Sequence, residues 1–411
     1  MRKVVVTGLG GLTAIGNDIP TIWKNLLNGV NGIGLITRFD CSNHKAKLAA
    51  EVKNFDPLAY MDKNELRKTD LFTQYAIAAA NEAVTDSGIV GTVESDRFGV
   101  YLGSGVGGIN AMATEQMRIA ESGPRRVSAF FVPMMISNIA AGHIAIRFGA
   151  KGPCLLITTA CASSTNAIGE GLRAIRHGYA DACIVGGSEG AIMPVSIAGF
   201  ANMMALSTST DPDAASLPFD KRREGFVMGD GAGMLVIEEY QHAIDRGAKI
   251  YGFLSGYGST CDAHHITAPD SSAESSARAI SDAFREAGSP QEGGIYINAH
   301  GTGTQLNDVT ETLAIKKGLG EKLAYQAMIS STKSMIGHML GAAGAIEAVF
   351  AVLALKHGKI PPTIGLKVPD PACDLDYVPL KARVSDIKTA LSVSLGFGGH
   401  NACIAFSKYT D

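Results

Sequence analysis

Charge is scarce in this chain: Asp, Glu, Lys and Arg make up 18% of 411 residues, against 46% hydrophobic residues. So little charge excludes a disordered or fibrous chain and predicts a large buried core. The net charge of −3 lacks the basic excess of a nucleic-acid-binding protein. No apolar run approaches the ~20 residues needed to cross a bilayer. The opening Met1-Arg2-Lys3-Val4-Val5-Val6-Thr7-Gly8 has no long apolar core of a signal peptide. Paired-cysteine motifs are also missing. Cys41, Cys154, Cys161, Cys183, Cys261, Cys373 and Cys403 are odd in number and scattered, without a CxxC pair. That pattern fits neither a disulfide framework nor a zinc finger. The expectation is a reduced, cytoplasmic protein with no membrane insertion and no nucleic-acid partner.

What the chain does have is alternation. Short apolar segments at 3–7, 98–102, 154–159, 182–185, 233–238, 250–257, 294–298, 327–330, 391–394 and 402–406 read as strands. Helical patterns cover 70–87, 162–178, 272–287, 308–317 and 340–357, the last apolar enough to be buried on most sides. This predicts an α/β fold with mixed, largely buried sheets. Residues 4–8 echo 296–301, and the unit 154–178 echoes 327–357, which predicts two halves, 1–250 and 251–411.

Four segments place reactive side chains among small residues at strand ends. In Thr158-Thr159-Ala160-Cys161-Ala162-Ser163, the cysteine falls where a predicted buried strand passes into a helix. Free amides and the helix dipole favour a thiolate there, although a free cysteine is also a common inert core residue. His300 sits in Asn298-Ala299-His300-Gly301-Thr302-Gly303-Thr304. Lys333 and His338 share Ser331-Thr332-Lys333-Ser334-Met335-Ile336-Gly337-His338, and Phe397 lies inside Leu395-Gly396-Phe397-Gly398-Gly399-His400-Asn401. Together they form a candidate nucleophile-plus-histidines set.

In this order the four segments resemble those of the β-ketoacyl-acyl carrier protein synthases, the condensing enzymes of fatty-acid synthesis, and within that group the type II enzyme. The likeness spans nearly the whole chain, through VVVTGLG, GPRRVSAFFVP, GFVMGDGAGMLVIEE, STKSMIGHMLGAAGAIEA and GFGGHNA. It implies a thiolase-like fold, with two similar halves carrying mixed five-stranded sheets in an α/β/α/β/α layering, and a homodimer. It implies that Cys161 carries the acyl chain, that His300 and His338 support decarboxylation of malonyl-acyl carrier protein, and that Lys333 and Glu347 stand behind them. The amides of Cys161 and Phe397 match the oxyanion hole. Phe397 also matches a gate, Val106 and Phe200 the acyl pocket, and Thr302 and Thr304 the contacts to phosphopantetheine. Arg67, Lys68, Arg125 and Arg126 match basic positions facing the acyl carrier protein. No cofactor is implied and no metal is required, though some relatives hold a structural monovalent cation near Asn298, Glu311 and Glu347.

The chain departs from the family pattern in several places. Gly303 and Gln305 interrupt the usual GTSTP, Ile336 stands in the usual SMTGH, Val393 replaces an asparagine, and Met204 replaces a basic residue. The alternatives are a polyketide-type ketosynthase subunit, a thiolase acting on coenzyme A thioesters, and a non-catalytic partner like a chain-length factor.

Overall fold

The computed structural model describes residues 1–290 and 294–410. Ten strands form one mixed sheet. In chain order they are β1 (Val4–Leu12), β2 (Phe98–Gly103), β3 (Cys154–Ile157), β4 (Ala182–Glu189) and β5 (Gly231–Glu239). The second five are β6 (Gly252–Cys261), β7 (Gly294–Asn298), β8 (Met328–Ser330), β9 (Ile387–Gly396) and β10 (His400–Ser407). The spatial order is β8-β7-β9-β10-β6-β1-β5-β4-β2-β3. Within each set of five, the first strand lies antiparallel to the fifth and the fifth antiparallel to the fourth; the fourth and third run parallel to the second. The two sets meet where Val5 pairs with Phe253 and Val6 with Gly252.

Helices α1 (Leu71–Ser87) and α2 (Ile139–Phe148) cover the outer face of the first five strands. Helix α3 (Ser163–Arg176) follows β3. Helix α4 (Glu274–Glu286) covers the outer face of the second five, α5 (Gln305–Leu319) packs beside it and shares its apolar cluster with those strands, and α6 (Ala343–His357) follows the loop after β8. Helices α3 and α6 pack on each other and touch strands of both sets, so they form the middle of an α/β/α/β/α stack. That position explains α6: a helix with sheets on two sides has no solvent face, and every residue from Ala343 to Leu355 is buried. Together with the turn Leu340–Ala342 it makes an 18-residue apolar stretch that would also suit a membrane span by length and composition, but here it is core.

One packing device occurs twice. A Cβ on Gly8 or Gly10 of β1 would fall on the carbonyl oxygens of Ala83 and Ala79 in α1. A Cβ on Gly256 or Gly258 of β6 would fall on those of Ala283 and Ala279 in α4. Glycine in alternate strand positions lets the alanine face of each helix seat directly on backbone. This pairs β1 with β6, which corrects the expected echo of residues 4–8 with 296–301. By position in the sheet, β7 corresponds instead to β2, because an apolar run ending in glycine is too common to mark equivalent strands. The echo of 154–178 with 327–357 matches β3–α3 and β8–α6.

A second correction concerns β3. It was expected as a buried strand through 159, but it ends at Ile157 on the sheet edge, with Leu155 53% exposed. Apolar content marks a strand to be covered and does not say by what.

Gly10→Ala should lower the urea midpoint, by about 1–3 kcal/mol of stability, because the methyl group meets backbone. Gly199→Ala, at an exposed position with open space in the helix Pro194–Asn202, should leave stability unchanged or raise it by about 0.5–1 kcal/mol.

Candidate active site

The nucleophile elbow is built from short polar side chains. After β3 the backbone turns at Ala160, whose φ of +50° lies in the left-handed region. The Ser163 hydroxyl donates to the Ala160 carbonyl (2.6 Å) and accepts from the Thr159 amide (2.9 Å), while the Asn166 side chain donates to the Thr159 hydroxyl (2.7 Å). Cys161 emerges from this turn two residues before the first helical residue of α3.

His300 follows β7 on a turn shaped by Gly301 and Gly303, both at positive φ. The His300 and Gly301 amides donate to the Glu311 carboxylate on α5, at 2.6 and 2.7 Å. His338 is held by its own backbone. Its amide donates to Val227 (2.7 Å) and its carbonyl accepts from Gly229 (2.9 Å), so the GFVMGDGAG segment fixes the second imidazole. Lys333, on the short helix Lys333–Ile336, ion-pairs with Glu347 of α6, and both side chains are 1% exposed.

The three reactive groups converge. His338 Nε2 lies 3.0 Å from Cys161 Sγ, and the two imidazole rings stand nearly perpendicular, centroids 5.3 Å apart. Burial, reinforced by Lys333, holds both imidazoles well below their ordinary value, so they are neutral at pH 7. Burial also pushes the Cys161 thiol up to about 12; Lys333 and the Phe397 amide oppose this, while Glu189 and Glu347 reinforce it. The helix start alone therefore does not make a resting thiolate, contrary to the expectation from sequence. Burial likewise pushes the Glu311 and Glu347 carboxyls up to about 7, against their amide and Lys333 partners.

Cys161, His300 and His338 open onto a cavity of about 340 Å³ that Thr302, Thr304, Phe200 and Phe397 also line. The Thr302 and Thr304 hydroxyls lie 3.0 Å apart. Phe397 begins the three-residue turn between β9 and β10, and its ring faces that of Phe200 at 6.4 Å. Behind it, Gly396 presses on Thr159 O and the Cys161 amide, where a Cβ would have no room. Val106 is not among the lining residues; its amide is held by Glu189. Lys68 packs its ammonium over the Phe130 ring at 4.7 Å, in the segment that follows the 125–126 basic pair. Arg67, Arg125 and Arg126 are exposed, and so is Met204 at 85%.

The residues near Asn298 fit a hard monovalent cation. Asn298 is the register partner of both Ser330 and Ser392, and Asn298 Oδ1, Ser392 Oγ and Glu347 Oε2 are buried oxygens with no hydrogen-bond partner. Unpaired buried oxygens are costly, and an oxygen-preferring ion would satisfy them.

Sequence reasoning missed Glu189, at the end of β4. This fully buried carboxylate accepts from the Ser104 hydroxyl and from the amides of Gly105, Val106, Gly107 and Gly341. It fastens the loop after β2 to the chain just beyond His338. The available signal was one acid closing the apolar strand Ala182-Cys183-Ile184-Val185-Gly186-Gly187-Ser188-Glu189. Also missed was Asp262, which accepts from the Asn401 side chain (2.7 Å) and whose amide donates to Gly399 (2.9 Å), bracing the Phe397 turn.

A cysteine and two neutral imidazoles converging on one cavity suit thiol-based acyl transfer. Models of the β-ketoacyl synthase N-terminal and C-terminal domains match residues 1–243 and 251–367. The chain is 50% identical over 410 residues to 3-oxoacyl-[acyl-carrier-protein] synthase 2 of Synechocystis sp., covering 99% of this chain and 98% of that one. It is 50% identical over 409 residues to the protein of the same name in Staphylococcus aureus strain COL, covering 99% of each. Among solved structures, a β-ketoacyl synthase from Burkholderia phymatum superposes with a TM-score of 0.91 at 33% identity over the full length of both chains. A type II polyketide ketosynthase, solved with its acyl-carrier protein and bound to a hexaketide, does so at 0.92 and 34%, again over both full chains. The chain belongs to the β-ketoacyl synthase family.

Alkylation of Cys161 by iodoacetamide should rise about tenfold per pH unit from neutrality to about pH 10, because the thiol titrates above that range. Lys333→Met should slow alkylation severalfold at a given pH by removing a cation that favours the thiolate. Glu189→Gln should quicken it by removing an anion that opposes it. Peptide mass mapping of the modified cysteine checks all three.

Proposed function

We propose that this chain is a β-ketoacyl-[acyl-carrier-protein] synthase of the type II kind, extending fatty acyl chains by two carbons. The observation that carries this reading is the 3.0 Å approach of His338 Nε2 to Cys161 Sγ with a second neutral imidazole, His300, on the same cavity. In the first half-reaction the Cys161 sulfur attacks the acyl thioester on the carrier protein. The acyl group passes to sulfur, and the phosphopantetheine thiol leaves with the proton that Cys161 gives up. The Cys161 and Phe397 amides meet the developing oxyanion, a contribution of about 2.7–4 kcal/mol per donor.

In the second half-reaction malonyl-acyl carrier protein loses carbon dioxide. The bonding electrons become an enolate, whose oxygen accepts hydrogen bonds from the two imidazoles. Its carbon attacks the acyl-Cys161 carbonyl, the carbon–sulfur bond breaks, and the thiolate regains a proton. The departing carboxylate supplies the electrons, so no cofactor is needed. Lys333 and Glu347 support the imidazoles through the field of the buried pair. A monovalent cation held by Asn298, Glu347 and Ser392, next to Glu311, would offset carboxylate charge without entering a step.

Thr302 and Thr304 contact the pantetheine arm, Phe397 gates the cavity, and Phe200 bounds the acyl pocket, whereas Val106, off the cavity wall, is left without that role. Arg67, Lys68, Arg125 and Arg126 dock the acidic carrier protein. Residues 1–250 then form the half carrying the nucleophile, and 251–411 the half carrying both histidines. The edge strand β3, with Leu155, Val132 and Ile146 exposed, supplies a face for a homodimer. The seven free cysteines suit the cytoplasm. A thiolase would bring a second cysteine to the cavity, and among the described residues Cys161 is the only one lining it. The full-length 50% likeness to fatty-acid enzymes favours them over the polyketide reading.

Intact mass after incubation with acyl-acyl carrier protein should show one acyl group per chain, lost in Cys161→Ser. Malonyl-acyl carrier protein should then discharge it as a two-carbon-longer product. His300→Ala should keep acylation and lose about 10²–10⁴-fold in condensation. Failure of the native protein to acylate would overturn the reading. Arg125→Glu should raise KM for carrier substrates more than it lowers kcat, with the effect shrinking in high salt.

A further inference from the structure

Sequence spacing excludes a zinc finger, yet folding assembles a donor set of another kind. Cys161, His300 and His338 each present one ligand atom, and the three atoms lie within 4.8 Å of one another. The closest pair, His338 Nε2 and Cys161 Sγ, is 3.0 Å apart. A tetrahedral Zn²⁺ with bonds of about 2.0–2.1 Å to nitrogen and about 2.3 Å to sulfur separates its donors by about 3.3–3.7 Å. Small side-chain adjustments about the present positions meet that requirement.

His300 Nδ1 and His338 Nδ1 are buried without hydrogen-bond partners, so neither ring has the outer hydrogen bond that orients most metal-bound imidazoles, and the donors are set by packing alone. Two further observations favour a cation. Glu189, Glu311 and Glu347 are buried about the single ammonium of Lys333, and carboxyls held up to about 7 can shed their protons as a cation enters. Finally, the cavity gives access to the donors and leaves room for a fourth ligand, a water molecule. One thiolate and two imidazoles with an open position is the arrangement of several zinc enzymes, and its nitrogen and sulfur donors select borderline-soft ions over Mg²⁺ or Ca²⁺.

We propose that Cys161, His300 and His338 form an inhibitory site for a divalent cation of the Zn²⁺ class, which the unacylated enzyme binds in competition with the acyl group. The metal–sulfur bond forms as the thiol proton leaves to solvent. While the metal is bound, the sulfur has no free electron pair positioned for a thioester, and neither imidazole is free for an enolate. Once Cys161 is acylated the thiolate ligand is gone, so the cation is a brake on loading and leaves condensation of the loaded enzyme untouched. The inhibitory consequence rests on the nucleophile role proposed for Cys161, whereas the binding itself does not.

Binding is tested without substrate, in protein carrying Cys154→Ser and Cys261→Ser to remove the exposed thiols. Titration with Co²⁺ should give a near-ultraviolet thiolate charge-transfer band and the visible bands of a four-coordinate ion, saturating at one metal per chain. Cys161→Ser should abolish the charge-transfer band, and His300→Asn should require more Co²⁺ to reach it. With the native chain, Zn²⁺ at ten times its Kd should slow Cys161 alkylation about tenfold. Absence of the thiolate band, its persistence in Cys161→Ser, or unchanged alkylation under Zn²⁺ would each overturn the proposal. An enzyme that shows the band but never acylates would instead overturn the condensing reading, so the two failures are distinguishable.

Discussion

The first turns of the two central helices are locked to each other, and the site depends on that lock. The Ala345 amide at the start of α6 donates to the Ser164 hydroxyl at the start of α3 (2.9 Å). Thr165 and Ser394 share a hydrogen bond of 2.7 Å, and a Cβ on Gly344 would fall on the Thr165 hydroxyl. The loops entering these helices carry Cys161 on one side and Lys333 with His338 on the other. Because both helices are clamped between sheets, the loops have little freedom to separate. A 3.0 Å contact between residues 177 apart in sequence is thus a consequence of helix packing.

Burial then sets the chemistry. The same desolvation that keeps both imidazoles neutral raises the Cys161 thiol and the Glu311 and Glu347 carboxyls. Neutral imidazoles suit the donation of hydrogen bonds to an enolate. A thiol that resists ionisation is protected from adventitious reaction until a thioester and its oxyanion donors are in place. Lys333 is the only buried cation among these groups, and its pairing with Glu347 spends much of its field on a neighbour. Buried carboxyls therefore outnumber buried ammonium groups here, and those held up to about 7 gain full charge only when a cation lies close.

How much was legible varies with the physics of each element. All ten strands were visible because each is a short apolar segment, and α6 because nothing in it is polar except Glu347 and its last residues. The edge position of β3 was not visible, since apolarity is the same whether a strand is covered by its own chain or left for another. The strand equivalence was misjudged because the true marker is a pair of glycines two residues apart facing alanines four apart on a helix. That marker acquires meaning only once the helix is seated. Glu189 went unnoticed because its partners are backbone amides, which carry no sequence signature.

The sequence by itself determined the chemical inventory: a cysteine after an apolar strand, two histidines and a lysine in small-residue loops, and a family likeness along the whole chain. It also determined the α/β class, through periodicity that local physics reads directly. Only the tertiary structure decided which groups touch, which are buried, and what burial does to their protons. Those properties depend on the distance between groups far apart in the chain and on the water excluded around them, and packing sets both.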